Sequence, residues 1–200
     1  MDVLGNKNQN SGSEPSGAAA AGQFIWDLAK ILIIALVIIV PFRMFVAEPF
    51  VVSGNSMLPN FNNRDYLIID RISYLKSAPQ RGDIVVLKYP KDTSQFFIKR
   101  IIGLPGETIR FNQGHVVIVN TMHPEGEMLH ESYIPSQTET YGRPDDLKLG
   151  SGEYYVLGDN RTASSDSRVW GILPANDIVG RVWLRIFPLS RYTHFTTPTY

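Results

Sequence analysis

The sequence predicts a mostly β domain preceded by one N-terminal transmembrane helix. Three observations carry this. An unbroken apolar run, Ile31 to Val40, sits inside a longer apolar stretch from Phe24 to Val46. After Glu48, β-prone segments of about 4–8 residues alternate with Gly, Pro and Asn clusters. No long amphipathic helical pattern follows the apolar stretch.

Residues 1–23 are expected to be a disordered tail. Gly5 to Gly22 is dominated by Asn, Ser, Gly and Ala, with only Lys7 and Glu14 charged, too little apolar surface to offset ordering entropy. Ala18–Ala21 favours helix locally, but nothing beside it offers packing.

Residues 24–46 are expected to span a membrane. The stretch has 23 residues, against the roughly 20 that cross a bilayer. Asp27, Lys30 and Arg43 lie near its ends, where the two cations can snorkel. Phe24 and Trp26 suit one interface, Phe42 and Phe45 the other, and Pro41 falls late enough for a kink to be tolerated. A core helix this uniformly apolar would be unusual in so short a chain. A cleaved leader would need small residues at −3 and −1, yet Phe45-Val46-Ala47 puts Phe at −3, so the span reads as an uncleaved anchor. Lys7 and Lys30 precede the core and Arg43 follows it, so charge does not fix the orientation.

Residues 47–200 read as one β-rich domain. Strands are expected at Phe50–Val52, Tyr66–Ile69, Ile84–Leu87, Phe96–Ile102, Thr108–Phe111, Val116–Val119, Tyr154–Leu157 and Val182–Phe187. Residues 120–150 are polar and turn-rich, a surface excursion with one short strand near Tyr133–Ile134.

Composition narrows the chemistry. With 19 Lys plus Arg against 19 Asp plus Glu, the chain lacks the cationic surplus that phosphate neutralisation needs, which argues against a nucleic-acid partner. It has no cysteine, excluding a disulfide framework, a thiolate metal site and a Cys nucleophile. Covalent catalysis would need an oxygen or nitrogen nucleophile. His115, His123, His130 and His194 form neither a triad signature nor a metal-ligand spacing. There is no G-x-S-x-G elbow and no glycine-rich phosphate loop. Ser73-Tyr74-Leu75-Lys76 is an S-x-x-K, but the S-D-N and K-T-G that accompany it in penicillin-binding enzymes are missing.

Four blocks stand out in order: Ser53-Gly54-Asn55-Ser56-Met57-Leu58-Pro59, Arg81 to Val86 (RGDIVV), Lys99 to Glu107 (KRIIGLPGE) and Gly158 to Arg168 (GDNRTASSDSR). Lys serves as a base only when neutral, and apolar burial lowers its ordinary pKa of about 10.4 by several units. If Phe96 to Ile102 is a strand, Phe97, Lys99 and Ile101 share one face and Arg100 points the other way. Lys99 then has apolar neighbours on both sides. Ser56 precedes Met57-Leu58-Pro59, which ends regular strand and leaves Ser56 on a turn.

With the anchor, these blocks resemble the type I signal peptidase family from roughly Pro49 to Pro188. The resemblance implies a domain of antiparallel sheets and a serine endopeptidase that removes signal peptides from exported preproteins after small-x-small sites, with no cofactor and no metal. It implies Ser56 as nucleophile, Lys99 as general base and Ser164 as a hydrogen-bond partner orienting the Lys99 amine. Asp166 and Arg168 match a family salt bridge, and Asp159 matches a residue that pairs with an Arg, here Arg100 or Arg161; these charges read as structural. For the oxyanion hole the Ser56 N–H is one donor. Gly54 stands where some members carry a second, hydroxyl donor, and Ser53 is adjacent but out of register. Asn60 replaces the usual Thr and Glu107 the usual Asp. Phe50, Val52, Phe97 and Ile98 are candidates for the walls of substrate pockets, and an extended peptide can pair with strand edges there.

The resemblance further implies a single-pass protein of the cytoplasmic membrane with its catalytic domain on the outer face, in contact with lipid and close to the secretion translocon. The expected anchor ends about ten residues before Ser56, which puts the site near the bilayer, with Met57, Leu58 and Phe61 dipping into the interface. Two other readings remain. A self-cleaving Ser/Lys protease of the SOS-repressor type would carry a DNA-binding domain and no span. A non-catalytic tethered β-domain would not require Ser56, Lys99 and Ser164 together.

Overall fold

The structure, a computed structural model, describes residues 17–41, 47–143 and 145–196. The tail at 1–16 and the end of the expected span at 42–46 lie outside the described residues.

Helix α1 runs Gly17–Pro41. It starts ahead of the expected Phe24 because the alanine run, best of all helix formers, extends an existing helix without a new nucleation cost. Within it, Ala21–Val40 has a mean hydropathy of 2.3 over 20 residues and no part of it is buried within the chain. Twenty residues at 1.5 Å rise give about 30 Å, enough for the hydrocarbon core of a bilayer. Lys30 sits 3.0 Å from Asp27 and over the Trp26 ring, so its charge is partnered inside the helix.

The second compact unit, 43–200, is antiparallel β. Its strands are β1 (Ala47–Val51), β2 (Tyr66–Asp70), β3 (Ile84–Tyr89), β4 (Asp92–Gly103), β5 (Thr108–Asn112), β6 (His115–Val119), β7 (Glu127–Met128), β8 (Leu147–Lys148), β9 (Glu153–Leu157), β10 (Leu173–Pro174), β11 (Ile178–Phe187) and β12 (Thr193–His194). A large sheet has the order β1-β2-β11-β3-β4-β9-β10 with β12 beside β11, and a four-stranded sheet has the order β7-β6-β5-β8. Short helices α2 (Ser73–Lys76) and α3 (Ser167–Trp170) complete it.

Strand β3 shows why the sequence reads as a continuous apolar run there. Ile84 and Val86 enter one core with Met57, Phe61, Leu67 and Ile98. Val85 and Leu87 enter another, on the opposite side, with Ile101, Val156 and Trp170. Both faces of the strand are covered, so alternation is lost. A third core, around Ile102, Ile109, Val116 and Tyr155, belongs to the small sheet. Gly103 ends β4 at this junction: a Cβ there would come 2.5 Å from Ile109 Cδ1 and 2.8 Å from Leu149 Cδ1.

Two expectations are corrected. Tyr133–Ile134 is a turn, not a strand. The Tyr133 carbonyl accepts from Asn60 Nδ2 and the Ile134 N–H donates to Glu131, so no ladder bond forms there. Met57 and Phe61 are fully buried rather than presented to an interface, and Leu58 is half-buried. They face the core because the turn after β1 folds inward, with the Phe61 N–H donating to the Met57 carbonyl.

Phe61 is 0% exposed and stacks on Phe195 at 4.7 Å between ring centroids. Phe61→Ala is therefore expected to cost about 3–5 kcal/mol, read as a lowered midpoint of urea unfolding followed by near-ultraviolet circular dichroism in detergent. A change below 1 kcal/mol would contradict this packing.

Candidate active site

Lys99 lies on β4, 3% exposed. Its Nζ is 2.9 Å from Ser56 Oγ, 2.9 Å from the Ile98 carbonyl that accepts from it, and 5.2 Å from the centre of the Phe97 ring. Burial pushes its pKa down to about 8, against the fields of Asp166 and Asp159, which push it up. Desolvation wins because nearly all water is excluded from the amine.

Ser56 sits on the turn after β1, anchored below by buried Met57. The Asn160 N–H donates to the Ser56 carbonyl at 3.0 Å, and Asn160 Nδ2 to the Asn55 carbonyl at 3.1 Å. The Ser56 N–H itself donates to no acceptor among the described residues. An apolar cleft of about 220 Å³ opens onto the pair; Phe50, Val52, Phe97 and Ile98 all line it, with Ser56 and Lys99 at its polar end.

Two buried ion pairs flank the pair. Arg100 grips Asp159 through both oxygens at 2.8 and 2.7 Å, and its guanidinium lies 3.9 Å over the Tyr133 ring. This decides between the two partners expected for Asp159; Arg161 pairs with Glu131 instead. Arg168 grips Asp166 in the same bidentate way, at 2.8 Å twice, while the Gly158 N–H donates to Asp166 Oδ2 at 3.0 Å.

Two expected roles change. Ser164 Oγ is buried but makes no hydrogen bond, to Lys99 or to any other described residue; the Lys99 amine is held by Ser56 and the Ile98 carbonyl. The Gly54 N–H is taken by Asn63 Oδ1 at 3.1 Å, so with no side chain either, Gly54 offers no donor to an oxyanion.

Several supporting residues escape a sequence reading. Asn60 bridges the Tyr133 carbonyl and Asp159 Oδ2, each at 2.7 Å. Its departure from the family pattern was the one available signal. Glu131 and Arg161 form a buried pair that ties the excursion to the loop bearing Asp159. Gly158 allows a close approach: a Cβ there would lie 2.2 Å from Ser164 Oγ and 2.4 Å from the Ser56 carbonyl oxygen. Glu107 is held by Arg81 at 2.6 Å, away from the cleft.

Residues 25–187 match the family described as signal peptidase, peptidase S26. The chain belongs to that signal peptidase family. It is 40% identical over 177 residues to a probable signal peptidase I-1 of Synechocystis sp., covering 85% of this chain and 86% of the relative. It is 37% identical over 198 residues to a signal peptidase I of Leptolyngbya laminosa, covering 95% and 91%. A crystal structure of a signal peptidase I from Enterococcus faecalis V583 matches at a TM-score of 0.44 and 32% identity, over 52% of this chain and 97% of that one.

Within this signal peptidase, Gly158→Ala is expected to force the loop off the Ser56 turn. Since displacements near 1 Å at a reacting centre cost about 10²-fold, turnover of a preprotein in detergent should fall by about that factor. Unchanged turnover would show that the close approach is not needed.

Proposed function

We propose that the chain is a membrane-bound serine endopeptidase that cleaves N-terminal signal peptides from exported preproteins, with Ser56 as nucleophile and Lys99 as general base. The observation that carries this reading is the buried Lys99 amine, 2.9 Å from Ser56 Oγ at the end of an apolar cleft. Neutral Lys99 takes the hydroxyl proton as Ser56 Oγ attacks the scissile carbonyl. The developing oxyanion has the Ser56 N–H as a donor. Protonated Lys99 then passes its proton to the leaving amine, which departs as the new N-terminus of the mature chain. Lys99, neutral again, activates the water that hydrolyses the acyl-enzyme.

Specificity follows from the size of the cleft. In an extended peptide, residues at −3 and −1 from the cut point to the same side. A cleft of about 220 Å³ walled by Phe50, Val52, Phe97 and Ile98 favours small residues at both positions, in keeping with a small-x-small preference. The edge of β4 supports backbone pairing: β9 pairs with it only from Arg100 onward, leaving Phe96–Lys99 open on that side. Asp166 and Arg168, like Asp159 and Arg100, position the dyad and do not react. The helix Ala21–Val40 anchors the enzyme in the cytoplasmic membrane, with its catalytic domain on the outer face, where signal peptides emerge from the translocon.

Ser56→Ala and Lys99→Ala should each abolish cleavage of a preprotein in detergent, with the cut site assigned by mass. Lys99→Arg should also be inactive, because Arg does not deprotonate. The base must be neutral and its pKa is lowered to about 8, so kcat/KM should rise with pH, level off above about 8, and at pH 7 reach about a tenth of the plateau. A rate flat from pH 6 to 9 would remove Lys99 from the role of base.

A further inference from the structure

On the other flank of the Ser56 turn lies a second groove, of about 570 Å³, lined mostly by polar residues although carbon atoms make up most of its exposed surface. Leu58 and Pro59 of the turn form its near side, Asn160 and Thr162 its base, and Glu139 and Tyr141 of the excursion its far wall. It is built onto the catalytic turn. Asn160, which lines it, donates to the Ser56 and Asn55 carbonyls. Arg161, buried beneath, donates to the Gly158 carbonyl at 3.1 Å and to Glu131, so one side chain holds the near and far walls together.

A peptide cut at Ser56 has residues on both sides of the scissile bond. The apolar cleft accounts for those before it. Those after it must leave past the nucleophile, and the polar groove starts two residues beyond Ser56, one hydrogen bond from its carbonyl.

Charge gives the groove a preference. Its lining carries three charged side chains, of which Asp159 is paired with Arg100 and Arg161 with Glu131. Glu139 is exposed and has no ion-pair partner among the described residues; the Tyr141 hydroxyl donates to it at 2.8 Å. We propose that this groove seats the residues that follow the scissile bond, in extended form, and that Glu139 disfavours acidic side chains there. The proposal rests on Ser56 and Lys99 being the catalytic pair.

The test uses the full chain in detergent micelles and three peptides with identical residues before the cut. One stops two residues after it. Two continue for five more, carrying Lys–Lys or Glu–Glu at the third and fourth positions. For each enzyme the readout is the ratio of kcat/KM for the Lys peptide to that for the Glu peptide, which cancels any loss of folded enzyme. The wild type should favour the Lys peptide by about two- to fivefold, the range of one exposed ion pair. The ratio should approach one in Glu139→Gln and invert in Glu139→Lys, and 0.5 M salt should flatten it. Thr162→Trp, which fills the groove, should raise KM for both long peptides relative to the short one. A ratio indifferent to the charge at 139, or a Thr162→Trp effect equal on short and long peptides, overturns the groove assignment. Failure of the wild type to cleave the short peptide, or cleavage that survives Ser56→Ala, overturns the dyad instead, so the two failures are distinguishable.

Discussion

The arrangement depends on one constraint: an amine must be able to shed its proton near neutral pH inside the protein although two buried carboxylates lie near it. Either carboxylate alone would hold the proton on Lys99. Each is instead committed to its own guanidinium, Asp159 to Arg100 and Asp166 to Arg168, both through two oxygens. Asp159 also accepts from Asn60, and Asp166 from the Gly158 N–H. Both carboxylates still favour the protonated amine, and the exclusion of water outweighs them. Cleft walls, ion pairs and the glycine that lets the loop close are therefore parts of one device.

Buried ion pairs of this kind are weak sources of stability, because two charges have been taken out of water. Their value here is positional. Asn60 joins the nucleophile turn to Asp159 and to the Tyr133 carbonyl. Arg185 and Arg191 donate to the Asn60 carbonyl from the end of the chain and both contact Asp65. Tyr133 covers Arg100, and Glu131 holds Arg161. The excursion between β6 and β9 is therefore structurally part of the site. Without it, Arg100 would lose its aromatic cover and the polar groove its far wall.

The strands were legible because apolar runs between Gly, Pro and Asn clusters need a pleated, half-buried surface, and all eight expected segments lie within or overlap strands. The strand expected at Tyr133–Ile134 rested on β propensity alone. Side-chain donors from 73 residues away took its backbone acceptor. Met57 and Phe61 show a second limit. Apolar residues on a turn reveal that something covers them, but not which side the turn faces. At the site, Ser56 and Lys99 could be named because the four ordered motif blocks resemble the signal peptidase family, and the apolar neighbours of Lys99 along its strand agree with the role that the resemblance implies. Glu131 and Asn60 could not be assigned, and the bond expected from Ser164 to Lys99 does not form, because these contacts depend on how distant loops meet.

The turn at Gly158 links these features causally. Strand β9 ends at Leu157, so β4 loses its neighbour below Arg100. The chain turns away there because Gly158 can pack against the Ser56 carbonyl, which a residue with a side chain could not do. The same close approach therefore fixes the nucleophile and leaves one edge of β4 unpaired beside it. An open edge is normally a liability that proteins blunt. Here it borders a small apolar cleft on one side of Ser56, while Asn160, two residues beyond the turn, begins the polar groove on the other.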